Sequence, residues 1–359
     1  MATHRIAVIR GDGIGKEVIA EGVKVLRALE RLEPGLRLRL THFGWGCDWY
    51  GKHGEVMPAD CLKVLARFDA IYLGAIGDPA NVPDAIAQDA LLNLRKGLDQ
   101  YACVRPALLL PGVRSPLAGK VPGAIDFIVV RENTEGEYAG TGGRLYRGTP
   151  KEVAVQTSIF TRAGTERVIR YAFALARRRR RRRLTSITKS NVQQYSMVFW
   201  DEVFQAVARE FPDVTAESLL VDAACMNLVR APERFDVIVA SNQFGDILTD
   251  IAAAIVGSLG LAPSANINPS RALPSMFEPV HGSAPDIAGQ GIANPLAAIL
   301  AAEMMLDFLG ERRAARRARR AVISALVDGK ALPADLGGRA STAEVGAGVL
   351  RHLRRAARA

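Results

Sequence analysis

The sequence predicts an α/β fold large enough for two domains, on three observations. Short apolar runs end abruptly in polar residues, a tight glycine turn joins the first run to an amphipathic helix, and 359 residues at 49% hydrophobic content can bury a sizeable core. Ile6-Ala7-Val8-Ile9 is the first strand, the turn is Gly11-Asp12-Gly13-Ile14-Gly15, and Val18, Ile19, Val23, Val25 and Leu26 mark the buried face of a helix. Ala70-Ile71-Tyr72-Leu73, Phe127-Ile128-Val129-Val130 and Val237-Ile238-Val239-Ala240 repeat the pattern, stopping before Gly74, Arg131 and Ser241. In such folds functional groups gather beyond strand ends. Gly140 to Gly148 holds four glycines and precedes the alternating Val153-Ala154-Val155-Gln156-Thr157, which reads as a loop feeding an antiparallel arm that pairs subunits.

The glycine turn is spaced GxGxG, with no acidic residue closing a second strand about 20 residues later, so it is not a Rossmann fingerprint. Nor is it a phosphate loop, despite Lys16. It reads as a strand-to-helix turn near a ligand.

Cys47, Cys61, Cys103 and Cys225 are scattered and form no CxxC pair, which argues against a disulfide framework or zinc site and for a reducing, cytoplasmic setting. The N-terminal segment Met1 to Ile6 lacks the apolar core of a signal peptide, and no uncharged apolar stretch reaches membrane-spanning length. The net charge of +10 raises nucleic acid as a partner, but removing the seven-arginine run Arg177 to Arg183 leaves +3. That run and the six arginines between Arg312 and Arg320 carry no interleaved aromatic residues, so both read as solvated surface and RNA binding as the lesser alternative.

Asp246 and Asp250 follow the strand ending at Ala240 and share one face of a helix. Mg²⁺ and Mn²⁺ take oxygen ligands, commonly one or two carboxylates. The same spacing also suits a solvated helix face. Arg95, Arg105 and Arg131 stand near element ends, and converging arginines suit a dianionic substrate, although each alone also suits a surface ion pair. Lys189 follows the strand-like Leu184 to Thr188, where a partly buried amine can serve as a base.

Five blocks in order resemble the β-decarboxylating dehydrogenases of the isocitrate and isopropylmalate type. They are Gly11 to Gly15, Arg131-Glu132-Asn133-Thr134-Glu135-Gly136-Glu137-Tyr138, Thr188-Lys189-Ser190-Asn191, Phe244-Gly245-Asp246-Ile247-Leu248-Thr249-Asp250, and Glu278 to Gly289. The tail Asp335-Leu336-Gly337-Gly338 through Glu344-Val345-Gly346 agrees. The resemblance implies two α/β domains that are not Rossmann folds, one from residues 1–104 and 257–359, the other from 105–256. It implies a homodimer with shared active sites. Asp246 and Asp250 would bind Mg²⁺ or Mn²⁺ with Asp222 of the partner subunit, with a monovalent cation such as K⁺ as an additional candidate. Arg95, Arg105 and Arg131 would hold a 2-hydroxy dicarboxylate, while Tyr138 and the partner's Lys189 transfer protons. His281, Gly282, Ser283, Ala284, Asp286 and Asn294 would bind the dinucleotide, and the acid at Asp286 favours NAD by repelling a 2′-phosphate.

Within the family, the closest resemblance is to the D-malate and tartrate dehydrogenases, carried by Phe43 to Tyr50, Phe68 to Tyr72, Val82-Pro83-Asp84 and Glu135 to Tyr138. One departure stands out. The segment Gln88 to Arg95 lacks the tryptophan expected near position 88 and resembles the isopropylmalate type at Leu91-Leu92, which would face the substrate's third carbon and accept an alkyl branch, although a methylene is worth only ~1 to 3 kcal/mol of discrimination. D-malate, tartrate and 3-isopropylmalate stay open as substrates. A non-catalytic RNA-binding paralogue is the remote alternative.

Overall fold

The computed structural model describes residues 3–355, so the start of the N-terminal segment and the outer ends of the expected first domain lie outside the described residues. The chain divides into two compact units. Residues up to 100, 108–125 and from 253 onward form the first, and 101–107 with 126–252 form the second. The sequence placed 108–125 in the second domain. This segment belongs to the first because Leu109, Leu110 and Val113 are buried there, and Ser115 donates to the Ile255 carbonyl at 2.6 Å.

The first unit opens with β1 (Thr3–Gly11), α1 (Gly15–Leu32), β2 (Arg37–Phe43), α2 (Cys47–His53), α3 (Cys61–Leu65), β3 (Ala70–Ala75) and α4 (Asp84–Gly97). The chain then builds the second unit from β4 (Ala102–Leu108), β5 (Asp126–Glu132), β6 (Gly136–Leu145), β7 (Val153–Ile159), α5 (Arg162–Arg178), β8 (Arg183–Thr188), α6 (Ser196–Ala208), β9 (Thr215–Leu220), α7 (Val221–Arg230), β10 (Val237–Ala240) and α8 (Asn242–Ile255). It returns for β11 (Pro263–Ile267), β12 (Ser275–Pro279), α9 (Leu296–Phe308), α10 (Arg312–Asp328) and α11 (Thr342–Arg355).

In the first unit the strands run β2-β1-β3-β12-β11, parallel except for the antiparallel pair of β11 and β12. In the second unit the order is β4-β5-β10-β8-β9, with β5, β10, β8 and β9 parallel. Neither is the 3-2-1-4-5-6 order of a Rossmann domain. Each expected strand forms. Val18, Ile19, Val25 and Leu26 of α1 are fully buried, each such side chain contributing roughly 1.5–3 kcal/mol. No helix among the described residues is long and apolar enough to cross a membrane.

Two surface expectations change. Residues 140–145 of the glycine-rich stretch lie in β6, paired antiparallel with β7, while 146–148 lie in the turn that feeds β7. A side chain at Gly142 would lie 2.2 Å from the Val155 carbonyl oxygen, so that glycine serves close strand pairing rather than a turn. The seven-arginine run is not merely solvated. Arg177 pairs with Asp213, Arg179 with Asp236 and Asp126, and Arg181 with the carbonyls of Glu233, Phe235 and Asp126. In α10, Arg313 and Arg317 pair with buried Glu33, and Arg319 pairs with buried Glu303.

Candidate active site

In the second unit, the parallel register sets Ala240 of β10 against Arg131 of β5, so Arg131 emerges beside the start of α8. A Cβ at Gly245 would sit 2.6 Å from the Arg131 Cβ, and its absence lets the arginine stem lie against the helix. Arg131, 2% exposed, donates through Nε and Nη2 to Asn242 Oδ1 at 3.0 and 2.7 Å and through Nη1 to Asp246. Arg105 of β4 donates to Thr249 Oγ1 at 2.6 Å and to Asp246 Oδ1 at 3.3 Å. The Tyr138 hydroxyl of β6 lies 3.3 Å from the other Asp246 oxygen. Burial and then the Asp246 charge push the Tyr138 phenol above its ordinary value, which keeps it protonated.

One turn along α8, Asp250 lies at the surface, yet flanking atoms desolvate its carboxyl. That desolvation, with the charge of Asp246, raises its pKa against the pull of Arg105 and Arg131. Two carboxylates that repel each other are a poor surface pair and a good cation site. Lys189, just after β8, pairs instead with Asp222 in the first turn of α7 at 3.1 Å, and the lysine lowers the Asp222 carboxyl. Among the described residues no group of three His, Cys, Asp or Glu side chains comes together, so Asp222 does not join Asp246 and Asp250.

In the first unit, β12 leads into the segment carrying His281 to Asn294. The glycine turn supports that segment directly. Ile14 N–H donates to the Ser283 carbonyl at 2.8 Å, and a Cβ at Gly13 would be 2.0 Å from the same oxygen. Buried Asp12 clamps the turn by accepting from the Cys47 and Gly77 amides at 2.8 and 2.9 Å. His281 is held below its ordinary pKa by burial, and its Nε2 is buried with no hydrogen-bond partner among the described residues. Asn294 donates to Asp335 at 2.9 Å and accepts from the Leu296 amide at 3.0 Å, which fixes its amide. Gly282 and Asp286 are exposed, Ser283 is buried and Ala284 adopts a φ of 42°.

Arg95 of α4 donates to Glu278 Oε1 at 3.0 Å within the first unit. Leu91, half buried, packs against the apolar cluster of Trp45, Val56, Met57 and Leu94. Trp45 packs against Phe43, with ring centroids 4.3 Å apart, so this part of the 43–50 signature is core behind α4.

Sequence reasoning missed Asn242, Glu278 and Asp335, which hydrogen-bond candidate site residues, and Asp12, which clamps the glycine turn beneath Ser283. Asn242 stands four residues before Asp246, the same interval that drew attention to Asp250. That spacing was the available signal.

The family model described as isocitrate/isopropylmalate dehydrogenase matches residues 5–349. A probable tartrate dehydrogenase/decarboxylase of Agrobacterium vitis is 51% identical over 346 residues, covering 96% of each chain. The D-malate dehydrogenase (decarboxylating) of Escherichia coli K12 is 54% identical over 312 residues, 86% of each. The crystal structure of isocitrate dehydrogenase from Methylococcus capsulatus superimposes with a TM-score of 0.88 at 36% identity, covering 98% of this chain and 99% of that one. On a match that runs through both units and every block that carries site residues, the chain belongs to the isocitrate/isopropylmalate dehydrogenase family of oxidoreductases.

Proposed function

We propose that the chain oxidises and decarboxylates D-malate or tartrate, using NAD and Mg²⁺ or Mn²⁺, as a homodimer with shared sites. The observation that carries this reading is the convergence of Arg105, Arg131 and Tyr138 on Asp246, one helical turn from Asp250. The all-oxygen donor set suits a hard divalent cation, and Asp246 and Asp250 would hold it with Asp222 of the partner subunit. A cation held there would supply Lewis-acid polarisation of the substrate's oxygen and electrostatic stabilisation of the negative charge that develops during decarboxylation. The orphaned Nε2 of His281, the fixed amide of Asn294 and exposed Asp286 suit a dinucleotide, with Asp286 accepting from ribose hydroxyls. NAD held there would supply the hydride acceptor.

The chain's own groups do the rest. Arg95, Arg105 and Arg131 bind substrate carboxylates, which orients the hydroxyl-bearing carbon. Lys189 of the partner subunit removes the hydroxyl proton as hydride leaves, and Tyr138, kept protonated, returns a proton to carbon after decarboxylation. From D-malate the products are pyruvate and CO₂. The identities to tartrate and D-malate enzymes favour these substrates. Leu91 and Leu92 on α4 keep 3-isopropylmalate as the second reading.

Dimerisation is supported by exposed apolar side chains on the arm (Leu145, Val155, Ile159) and on α6, α7 and α8 (Val198, Met226, Val229, Ile247). A mixing experiment tests the shared site. Lys189→Ala and Asp246→Asn variants, each inactive alone, regain roughly 25% of wild-type activity after subunit exchange, because half the dimers carry one intact site. Absence of complementation in demonstrated mixed dimers overturns the shared site. A kcat/KM panel of D-malate, tartrate and 3-isopropylmalate, with Mn²⁺ and NAD or NADP, ranks substrates.

A further inference from the structure

We infer that Asn242, held by Glu132, is a positioning residue that fixes the guanidinium plane of Arg131 for the substrate carboxylate. The inference rests on the assignment of Arg131 to substrate binding. Asn242, Glu132 and Arg131 are 1%, 2% and 2% exposed, so water does not substitute for their contacts.

The orientation of the Asn242 amide is dictated by chemistry. Its nitrogen faces the Glu135 carbonyl at 3.0 Å, which can only accept, and Glu132 Oε2 at 3.4 Å, which already accepts from the Glu135 amide. Its oxygen therefore turns to Arg131, taking Nε and Nη2 together. Glu132 is itself fixed by the amides of Thr134 and Glu135, at 2.8 and 3.0 Å, and by the Thr134 hydroxyl at 2.8 Å. Gly136, at a φ of 75°, keeps the turn tight enough that a Cβ there would lie 3.3 Å from the Asn242 Cβ. The 132–136 turn thus sets Glu132, Glu132 sets Asn242, and Asn242 sets Arg131.

The helix does not need this side chain for its own start. Glu137 accepts from the Ser241 hydroxyl at 2.7 Å and from the Gln243 amide at 3.0 Å, satisfying the first turn of α8. The Asn242 side chain is left to serve Arg131. Asp246 takes Nη1, whereas Asn242 Oδ1 takes both Nε and Nη2 and so defines the guanidinium plane on which a bidentate grip on a substrate carboxylate depends.

A double-mutant cycle tests this, read with NAD, Mn²⁺ and the hydroxy acid turned over fastest. Asn242→Ala raises the hydroxy-acid KM about tenfold or more, with the KM for NAD within about twofold of wild type. In an Arg131→Lys background, where the planar fork is gone, the same change costs less than about twofold. Asn242→Asp keeps an acceptor for Arg131 and lies closer to wild type in KM than Asn242→Ala, despite the neighbouring Glu132. Equal losses in both backgrounds, or an aspartate variant worse than alanine, overturn the inference. Should Arg131→Lys itself leave KM unchanged, the assignment of Arg131 fails first, and the positioning role falls with it.

Discussion

The two ends of the parallel sheet in the second unit carry the same residue pair to different ends. Where β5 and β10 begin, Arg179 pairs with Asp236, whose side chain is 1% exposed. Where they finish, Arg131 pairs with Asp246, whose side chain is 36% exposed. Arginine with aspartate is therefore not a signature of function. The exposed carboxylate is the one that keeps room for another cation, and it lies at the carboxyl end of the strands, where α/β folds place their ligands. The buried carboxylate is enclosed by Arg179, the Arg183 amide and Arg181, and it holds strand beginnings together.

Substitutions at the two ends separate activity from stability. The largest effect belongs to Asp246→Asn, which lowers kcat by about 10³-fold or more by weakening the cation site, while stability changes by less than ~1 kcal/mol because an amide oxygen still accepts from Arg131 and Arg105. Steady-state rates and thermal melts of one preparation check both halves. Retained turnover removes the metal assignment. Next is Arg179→Ala, which strips a buried carboxylate of its main partner and destabilises the fold by ~2–4 kcal/mol without changing kcat per folded molecule. Denaturant titration measures this, with exposed Arg180→Ala, expected within ~0.5 kcal/mol of wild type, as control. If the two arginine variants melt alike, the run is surface after all.

The smallest effect lies in the first unit and concerns pH. Burial depresses the His281 pKa, so the unfolded chain binds a proton that the folded chain resists. Its contribution to stability is present above the ordinary histidine value and is lost as pH falls through it. A His281→Asn variant therefore shows a flatter melting temperature between about pH 7 and about pH 5 than wild type. An unchanged slope would show that His281 is not the group responsible.

How much was legible depended on whether the signal was local. Strand ends, the α1 face and the Asp246–Asp250 helix all follow from periodicity and were readable. Of the glycines of 140–148 only Gly148 lies in the expected loop, because glycine serves a turn and a close strand pairing equally well and only the register with β7 distinguishes them. The arginine run is mostly exposed, as expected, but its ion pairs were unreadable for a similar reason. Its partners Asp126, Asp213 and Asp236 are tens of residues away, and nothing in a row of like charges names them.

The sequence by itself determined the α/β class, the family blocks and the candidates for the chemistry-bearing groups, because these are properties of residue type and short-range spacing. Tertiary structure alone decided which aspartate is enclosed and which stays open, that Lys189 pairs with Asp222 rather than joining Asp246, and that Asn242 holds Arg131. Such outcomes depend on which strands become neighbours and how much water each side chain then loses, and both are settled only when distant segments meet.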